Sequence, residues 1–124
     1  IEILYPIHPR ARKFLDLFKI NTDGIKIIDP VGFLEFLQLE SSARIILTDS
    51  GGLQEEACIL KTPCVTLRDN TERPETVEVG GNILAGTNPD NIVDAAVKML
   101  RIKPEWQNPL GDGKSAERIL EIVN

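Results

Sequence analysis

Short apolar runs alternate with stretches of helical periodicity along the whole chain. Apolar runs of this length predict strands, and the periodic stretches predict helices. The predicted strands cover residues 3–7, 25–28, 44–48, 64–67 and 82–84. The predicted helices cover residues 10–18, 33–39, 53–60 and 92–100, with a final helix at about 114–124. This alternation, with short connections, favours an α/β fold with a doubly wound parallel sheet.

Two polar segments interrupt the pattern and are predicted to be loops. Residues 68–74 follow a strand, and residues 102–115 contain two prolines and two glycines before the final helix. The first strand begins almost at residue 1, with no βα unit before it. We therefore expect residues 1–124 to form one partial domain that lacks its first βα unit.

Composition supports a parallel sheet and argues against two classes of partner. Hydrophobic residues make up 42% of the 124 residues and aromatic residues only 5%, so the core must consist mainly of Ile, Leu and Val. The net charge of -5 argues against binding nucleic acid through its phosphates. No apolar run reaches the roughly 20 residues that a membrane-spanning helix needs, so we expect no membrane partner.

The two cysteines, Cys58 and Cys64, are too few and too closely spaced for a disulfide framework or a zinc motif. We expect both to be buried, unpaired thiols that pack as small hydrophobic side chains. Free thiols are typical of a reducing compartment, which favours a cytoplasmic location. No group of His, Cys or carboxylate residues has metal-ligand spacing, so we expect no metal and no cofactor.

The most informative stretch joins the third strand to the next helix through Ser50, Gly51 and Gly52. Open α/β sheets bind ligands at the carboxyl ends of their strands. Two glycines let the backbone approach an anion, and a helix N-terminus offers free N–H groups and partial positive charge. The sequence therefore predicts a phosphate site. The alternative is a capped helix start that binds nothing, with Ser50 as the cap.

Three charged residues are candidates for contacts near this turn, and the two arginines among them lie there if the third and fourth predicted strands are neighbours. Glu56 shares a helical stripe with Leu53 and Leu60, and its carboxylate could accept hydrogen bonds from a vicinal diol such as that of ribose. The alternative is an exposed helix glutamate. Arg68 and Arg73 follow the next strand and could offset phosphate charge. The alternative is a solvated cluster in which they pair with the nearby acidic residues Asp69, Glu72 and Glu75.

The only histidine, His8, follows the first predicted strand. A lone histidine at such a position is more often a loop or packing residue than a catalyst. Ser50 does not lie in the G-x-S-x-G pattern of serine hydrolases. The turn is also neither a P-loop nor a G-x-G-x-x-G fingerprint, so the general motifs alone identify no reaction.

Four motifs together resemble those of one enzyme family, the non-hydrolysing UDP-N-acetylglucosamine 2-epimerases. Residues 48–57 resemble the family's T-D-S-G-G-x-Q-E-E, and residues 67–75 resemble R-x-x-T-E-R-P-E. Residues 108–113 are similar to N-P-Y-G-D-G, with Leu110 in place of the tyrosine, and residues 5–8 to Y-P-V-H. The motifs occur in the family's order and span nearly the whole chain, which resembles the later part of the C-terminal half of such an enzyme.

The resemblance implies a GT-B fold, in which two Rossmann-like domains hold the substrate between them. It implies interconversion of UDP-N-acetylglucosamine and UDP-N-acetylmannosamine, by elimination of UDP to a 2-acetamidoglucal and re-addition after C2 is reprotonated on the other face. The partners it implies are a UDP-sugar, the N-terminal domain of the same enzyme and a second subunit in a homodimer. The catalytic carboxylates would lie in that N-terminal domain, so this chain alone is expected to be inactive.

The resemblance also assigns roles to individual residues. It implies that Ser50, Gly51 and Gly52 hold the diphosphate and that Glu56 binds the ribose hydroxyls. It places Arg73 at the phosphate or the active cleft and Phe36 beside the uracil. It also implies that His8 faces the cleft, near a regulatory sugar-nucleotide position of bacterial members. After His8 this chain has Pro-Arg where bacterial members usually have Leu-Asn-Pro.

Three alternatives remain open from the sequence. The parent could be a hydrolysing epimerase, which releases free N-acetylmannosamine, or a GT-B glycosyltransferase. From a different class, the chain could be a non-catalytic nucleotide-binding module.

Overall fold

A computed structural model of the chain describes residues 1–123. The strands are β1 Ile3–Pro6, β2 Ile25–Ile28, β3 Ile46–Thr48, β4 Cys64–Thr66 and β5 Asn82–Leu84. The helices are α1 Pro9–Phe18, α2 Phe33–Ser42, α3 Gly51–Leu60, α4 Pro74–Glu78, α5 Pro89–Met99 and α6 Ser115–Val123. The chain divides into two compact units, Ile1–Phe36 and Leu37–Asn124.

The first unit contains a parallel pair of strands and helix α1. Strand β1 pairs with β2 from Ile3 opposite Ile25 to Pro6 opposite Ile28. The backbone N–H of Ile7 extends this ladder by donating to the Ile28 carbonyl at 3.0 Å, and Ile7 itself is buried. Helix α1 ends at Lys19, which caps it in the left-handed conformation with φ 49°.

The second unit contains a three-stranded parallel sheet in the order β3-β4-β5. Ile46, Cys64 and Asn82 stand opposite one another at the start of the ladder, so Thr48 and Thr66 meet at its carboxyl end. The buried core of this unit lies between the sheet and α5, and consists of Val65, Ala85, Ala95 and Met99. Five partly buried residues pack against it, namely Ile45, Leu67, Ile83, Ile92 and Ile102.

The parallel α/β architecture predicted from the hydrophobic pattern is confirmed, with the strands distributed over two small sheets. The five strands lie where predicted, with ends that differ by up to two residues. The final helix was predicted at about 114–124 and is observed at Ser115–Val123, while Asn124 lies outside the described residues. Helix α4 was not predicted, because its five residues follow a polar loop and are too few to show a period.

Cys58 and Cys64 are both free thiols with 1% of their surface exposed, as the sequence predicted. Burial raises the pKa of the Cys64 thiol to about 12, so this side chain stays uncharged near neutral pH. Within residues 1–123, no helix is both long and apolar enough to cross a membrane.

Candidate functional site

The turn from β3 to α3 forms a helix start at the carboxyl edge of the sheet. Ser50 is the N-cap residue of α3, with φ -85° and ψ 130°. Its hydroxyl accepts a hydrogen bond from the Leu53 N–H at 3.5 Å, and its own N–H donates to Thr48 Oγ1 at 3.0 Å. The Ser50 side chain therefore caps the helix in this structure, while Gly51 and Gly52 form the first turn of α3.

The two glycines are not required by the packing of the described chain. A Cβ atom added to Gly51 would meet nothing within 4 Å, and one added to Gly52 would lie 3.9 Å from Ser50 Oγ. Neither residue has positive φ. Glycine lowers helix stability by up to ~1 kcal/mol relative to alanine. The two glycines therefore weaken α3 without easing any contact within residues 1–123, and they leave the start of the helix free of Cβ atoms at these two positions.

A second turn reaches the same edge of the sheet from the neighbouring strand. The Leu67 N–H donates to the Thr48 carbonyl at 2.8 Å, which brings the segment after β4 beside the end of β3. The sequence placed Arg68 and Arg73 near the Ser50 turn on the condition that these strands are neighbours, and β3 and β4 do pair.

A buried polar network joins the two turns, with Gln54 of α3 and Asn82 of β5 at its centre. Gln54 Nε2 donates to the Ser50 carbonyl at 3.2 Å, while Gln54 Oε1 accepts from the Thr71 hydroxyl and from Asn82 Nδ2. Asn82 Oδ1 accepts from the Thr66 hydroxyl at 2.9 Å. Gln54 and Asn82 are each only 1% exposed, so the network holds the Ser50 carbonyl and Thr71 at fixed positions.

The network continues into the loop that carries Arg73. Asn82 Nδ2 also donates to Thr76 Oγ1 at 3.1 Å, and the Thr76 hydroxyl donates to the Arg73 carbonyl at 2.8 Å. The Arg73 N–H in turn donates to Thr71 Oγ1 at 2.9 Å. Sequence reasoning placed Gln54 and Thr71 inside motifs but assigned them no role, and it missed Thr76 and Asn82. For Asn82, the available signal was a polar residue at the start of an apolar strand.

The charged residues that the sequence predicted for this site lie on α3 and in the segment after β4. Arg73 forms an ion pair with Glu55 through Nε, and its Nη1 donates to the Glu72 carbonyl at 3.0 Å. Its guanidinium is about one third exposed. Glu56 is half-buried on α3, at the edge of the face that packs inward. Arg68 is half-buried, and its carbonyl accepts from the Gly86 N–H at 3.2 Å.

His8 and Phe36 belong to the first unit. His8 is the N-cap of α1, where its Nδ1 accepts a hydrogen bond from the Arg10 N–H at 3.2 Å. Phe36 is half-buried on α2, and its N–H donates to the Gly32 carbonyl at 2.9 Å. The helix-cap geometry accounts for a polar side chain at His8. The sequence had allowed two interpretations of this residue, a loop residue or a residue that faces the cleft.

The third motif, residues 108–113, forms a self-bonded turn before α6. Asn108 Nδ2 donates to the Gly111 carbonyl at 3.0 Å, and the Leu110 N–H donates to Asn108 Oδ1 at 3.0 Å. Arg118 reaches back from α6 to bind both carboxylate oxygens of Asp112, at 3.0 and 2.6 Å. This guanidinium is the main cause of the lowered pKa of Asp112. Within residues 1–123, no three His, Cys, Asp or Glu residues are grouped so as to hold a metal ion.

Comparison with known proteins shows to which family the chain belongs. The model of the UDP-N-acetylglucosamine 2-epimerase family matches residues 1–124. The UDP-N-acetylglucosamine 2-epimerase of Methanocaldococcus jannaschii is 59% identical over 98% of this chain and 34% of its own length. That of Escherichia coli K12 is 41% identical over 99% of this chain and 35% of its own length. The chain thus spans about a third of the length of these isomerases.

The same assignment follows from solved structures. The crystal structure of the Methanocaldococcus jannaschii enzyme in complex with UDP-GlcNAc and UDP superposes with a TM-score of 0.89 at 59% identity. The match covers 98% of this chain and 35% of that one. The enzymes of this group have a GT-B fold, to whose C-terminal part the chain corresponds. Since the family match covers the whole sequence and the fold agrees with it, the chain belongs to the UDP-N-acetylglucosamine 2-epimerase family.

Proposed function

We propose that this chain is the UDP-binding part of an enzyme that interconverts UDP-N-acetylglucosamine and UDP-N-acetylmannosamine. The observation that carries the proposal is the open N-terminus of α3 at the carboxyl edge of the sheet. There Gly51 and Gly52 leave backbone N–H groups accessible, and the buried Gln54 network fixes the turn. The ligand of the Methanocaldococcus jannaschii relative, UDP-GlcNAc with UDP, has the diphosphate that such a site accommodates.

The chemistry we propose for this part is stabilisation of the leaving group. Elimination removes a proton from C2 of the sugar and breaks the anomeric C–O bond, and the bonding electrons leave with UDP. Negative charge therefore develops on the β-phosphate, and preorganised N–H groups at a helix N-terminus stabilise it without reorganising. Re-addition of UDP to the 2-acetamidoglucal, with a proton returned to the other face of C2, completes the epimerisation.

The proposal includes the partners that this chemistry needs. The proton transfers at C2 require an N-terminal domain that carries the catalytic carboxylates, and the complete enzyme is proposed to be a cytoplasmic homodimer. Within this chain, Ser50, Gly51 and Gly52 would contact the diphosphate and Glu56 the ribose. Phe36 would lie beside the uracil, while Arg73 and His8 would face the cleft.

UDP titration of the chain, followed by amide NMR, tests the proposal directly. We expect the amide signals of Ser50, Gly51 and Gly52 to shift on adding UDP and on adding inorganic pyrophosphate, because both carry the diphosphate. A folded sample with no shift at millimolar UDP would contradict a preformed site. Product analysis of the complete enzyme separates the reactions, since release of free N-acetylmannosamine would indicate a hydrolysing enzyme instead.

Gly51→Ala should separate stability from binding. Because a Cβ meets nothing within 4 Å and alanine favours helix, we expect the free energy of unfolding to rise by a few tenths to ~1 kcal/mol. The methyl group occupies the space through which an anion reaches the helix amides, so UDP affinity should fall about tenfold, or ~1.4 kcal/mol. Urea unfolding and calorimetry measure the two effects.

The matched control is Asn91→Ala in the first turn of α5, where the exposed side chain is also replaced by a better helix former. It should raise stability and leave UDP affinity unchanged. Unchanged UDP affinity in Gly51→Ala would show that the glycine does not face a ligand.

Glu56→Ala tests the proposed ribose contact. Only UDP carries the vicinal diol, so the substitution should weaken UDP by about tenfold and inorganic pyrophosphate by less than twofold, as expected for loss of a hydrogen-bonded charged group. Calorimetric titration with both ligands on the same sample provides the comparison. Equal losses for the two ligands would mean that Glu56 acts through the stability of α3 rather than through ribose.

A further inference from the structure

Helix α2 carries a glutamate, Glu40, whose side chain is buried and only 3% exposed. Its backbone is held in place, because its carbonyl accepts hydrogen bonds from the Thr62 hydroxyl at 2.9 Å and from the Ala43 N–H at 3.2 Å. Within residues 1–123, neither of its carboxylate oxygens accepts a hydrogen bond from a donor group. An ionised carboxylate in such surroundings is strongly destabilised.

The group that faces the Glu40 carboxyl is the carboxyl of Glu56, on the neighbouring helix α3. Two carboxyl groups can form a hydrogen bond only when one of them holds a proton. Cys64 of β4 is the other titratable group near Glu40, and its thiol is uncharged near neutral pH. Within residues 1–123, no positively charged group lowers the pKa of Glu40.

The electrostatics agree with this geometry. Burial, and then the negative charge of Glu56, raise the pKa of Glu40 from 4.5 to about 7. Glu40 is the more buried of the two residues, so its surroundings favour the protonated form of Glu40. In such an arrangement one of two close carboxyl groups stays neutral, and its hydroxyl can donate to the other.

We propose that Glu40 is a positioning residue which, in its protonated form, donates a hydrogen bond to the Glu56 carboxylate and holds it ready for the ribose diol of UDP. This role rests on the proposed function of the site. A carboxylate has about four lone-pair positions, so Glu56 can accept from Glu40 and still accept from two ribose hydroxyls. Restraining the Glu56 side chain before the ligand binds lowers the entropic cost of ordering it.

Two substitutions of Glu40 distinguish positioning from packing. In Glu40→Gln the amide Nε2 can replace the proton donor, so at pH 6 we expect UDP affinity within about twofold of the wild type. In Glu40→Leu a side chain of similar size lacks the donor, and UDP affinity should fall by about tenfold while inorganic pyrophosphate affinity stays within twofold. Calorimetry at pH 6 gives all these values, since Glu40 is mainly protonated there.

The pH dependence provides a second readout that does not depend on the leucine variant being folded. At pH 8.5 the wild type loses the shared proton, and the two charges repel each other. We therefore expect Glu40→Gln to bind UDP several-fold more tightly than the wild type at pH 8.5, but equally at pH 6. Comparing the two proteins at each pH cancels the titration of UDP itself. Equal affinities at both pH values, or equal losses in the Gln and Leu variants, would overturn the positioning role.

Carbon-13 NMR of the side-chain carboxyl carbons separates this inference from the proposed function, because it needs no ligand. The Glu40 signal should titrate with a midpoint near 7 in the wild type and at a lower pH in Glu56→Gln. If the wild type fails to bind UDP, the proposed function is wrong, yet the carboxyl titration still shows whether the pair exists. A Glu40 signal that titrates as an ordinary glutamate would overturn the hydrogen-bonded pair itself.

Discussion

Replacing Gln54 by glutamate should lower the free energy of unfolding at pH 7 by roughly 3 kcal/mol or more, since the change buries a charge and breaks hydrogen bonds. Gln54 is 1% exposed, and its Nε2 is the donor to the Ser50 carbonyl. A glutamate oxygen at that position would face the carbonyl oxygen, so two acceptors would be opposed. The Thr71 and Asn82 side chains could still donate to the other glutamate oxygen. The hydrogen bond that is lost is therefore the one to the Ser50 carbonyl.

Lowering the pH should restore the stability that the Gln54→Glu substitution removes. A protonated glutamate has a hydroxyl that can donate to the Ser50 carbonyl, and burial raises the pKa of a carboxyl group. We therefore expect Gln54→Glu to regain most of its stability as the pH is lowered from 7 to 4, relative to the wild type at each pH. Urea unfolding measures this difference, and amide shifts in the segments 50–52 and 71–73 report the local change.

Gln38→Glu is the matched control, because it makes the same chemical change on an exposed face of α2. Its effect should stay within about 0.5 kcal/mol, as is usual for surface substitutions. A Gln54→Glu variant as stable as Gln38→Glu at pH 7 would show that the buried network does not hold the two turns together.

Replacing Glu40 by glutamine should make the stability of the fold less sensitive to pH. The native pKa of Glu40 is raised from 4.5 to about 7, so the native state binds a proton more tightly than the unfolded chain does. Stability that derives from this proton is complete below the unfolded pKa of 4.5 and is lost as pH rises through about 7. Since one pKa unit corresponds to about 1.4 kcal/mol, the loss in the wild type amounts to roughly 3 kcal/mol.

Glutamine has no such proton to lose. The difference in unfolding free energy between Glu40→Gln and the wild type should therefore move by roughly 3 kcal/mol in favour of the variant between pH 4 and pH 8. Urea unfolding at several pH values measures it. The exposed Glu105→Gln serves as a control and should show no comparable change. A constant difference across this range would mean that Glu40 titrates alike in the folded and unfolded chain.

Much of the fold could be predicted from the sequence, because its elements leave local signals. Apolar runs marked the five strands, and β2 and β5 have the predicted limits. Ser50 and the two glycines marked the start of α3, although the predicted apolar periodicity began only at Leu53. Helix α4 was not predicted, because a proline such as Pro74 after Arg73 is as typical of the end of a loop as of the start of a helix.

The partners of individual side chains could not be predicted. Arg73 had two acidic neighbours in the sequence, Glu72 and Glu75, yet its guanidinium pairs with Glu55, on a different helix. Glu40 carries no local signal, because one glutamate in an amphipathic helix resembles any other. Its burial, and the carboxyl group of Glu56 beside it, arise only when the chain is folded.

The sequence by itself determined the alternation of strands and helices, the strand-to-helix turn at residues 50–52 and the resemblance to one family. These depend on residue types at short separations, where backbone sterics and helix periodicity act. Only the tertiary structure decided that Gln54, Thr71, Thr76 and Asn82 form one network, and that Glu40 faces Glu56. The physical reason is that hydrogen bonds and pKa shifts depend on distances across space, which the spacing of residues along a chain does not specify.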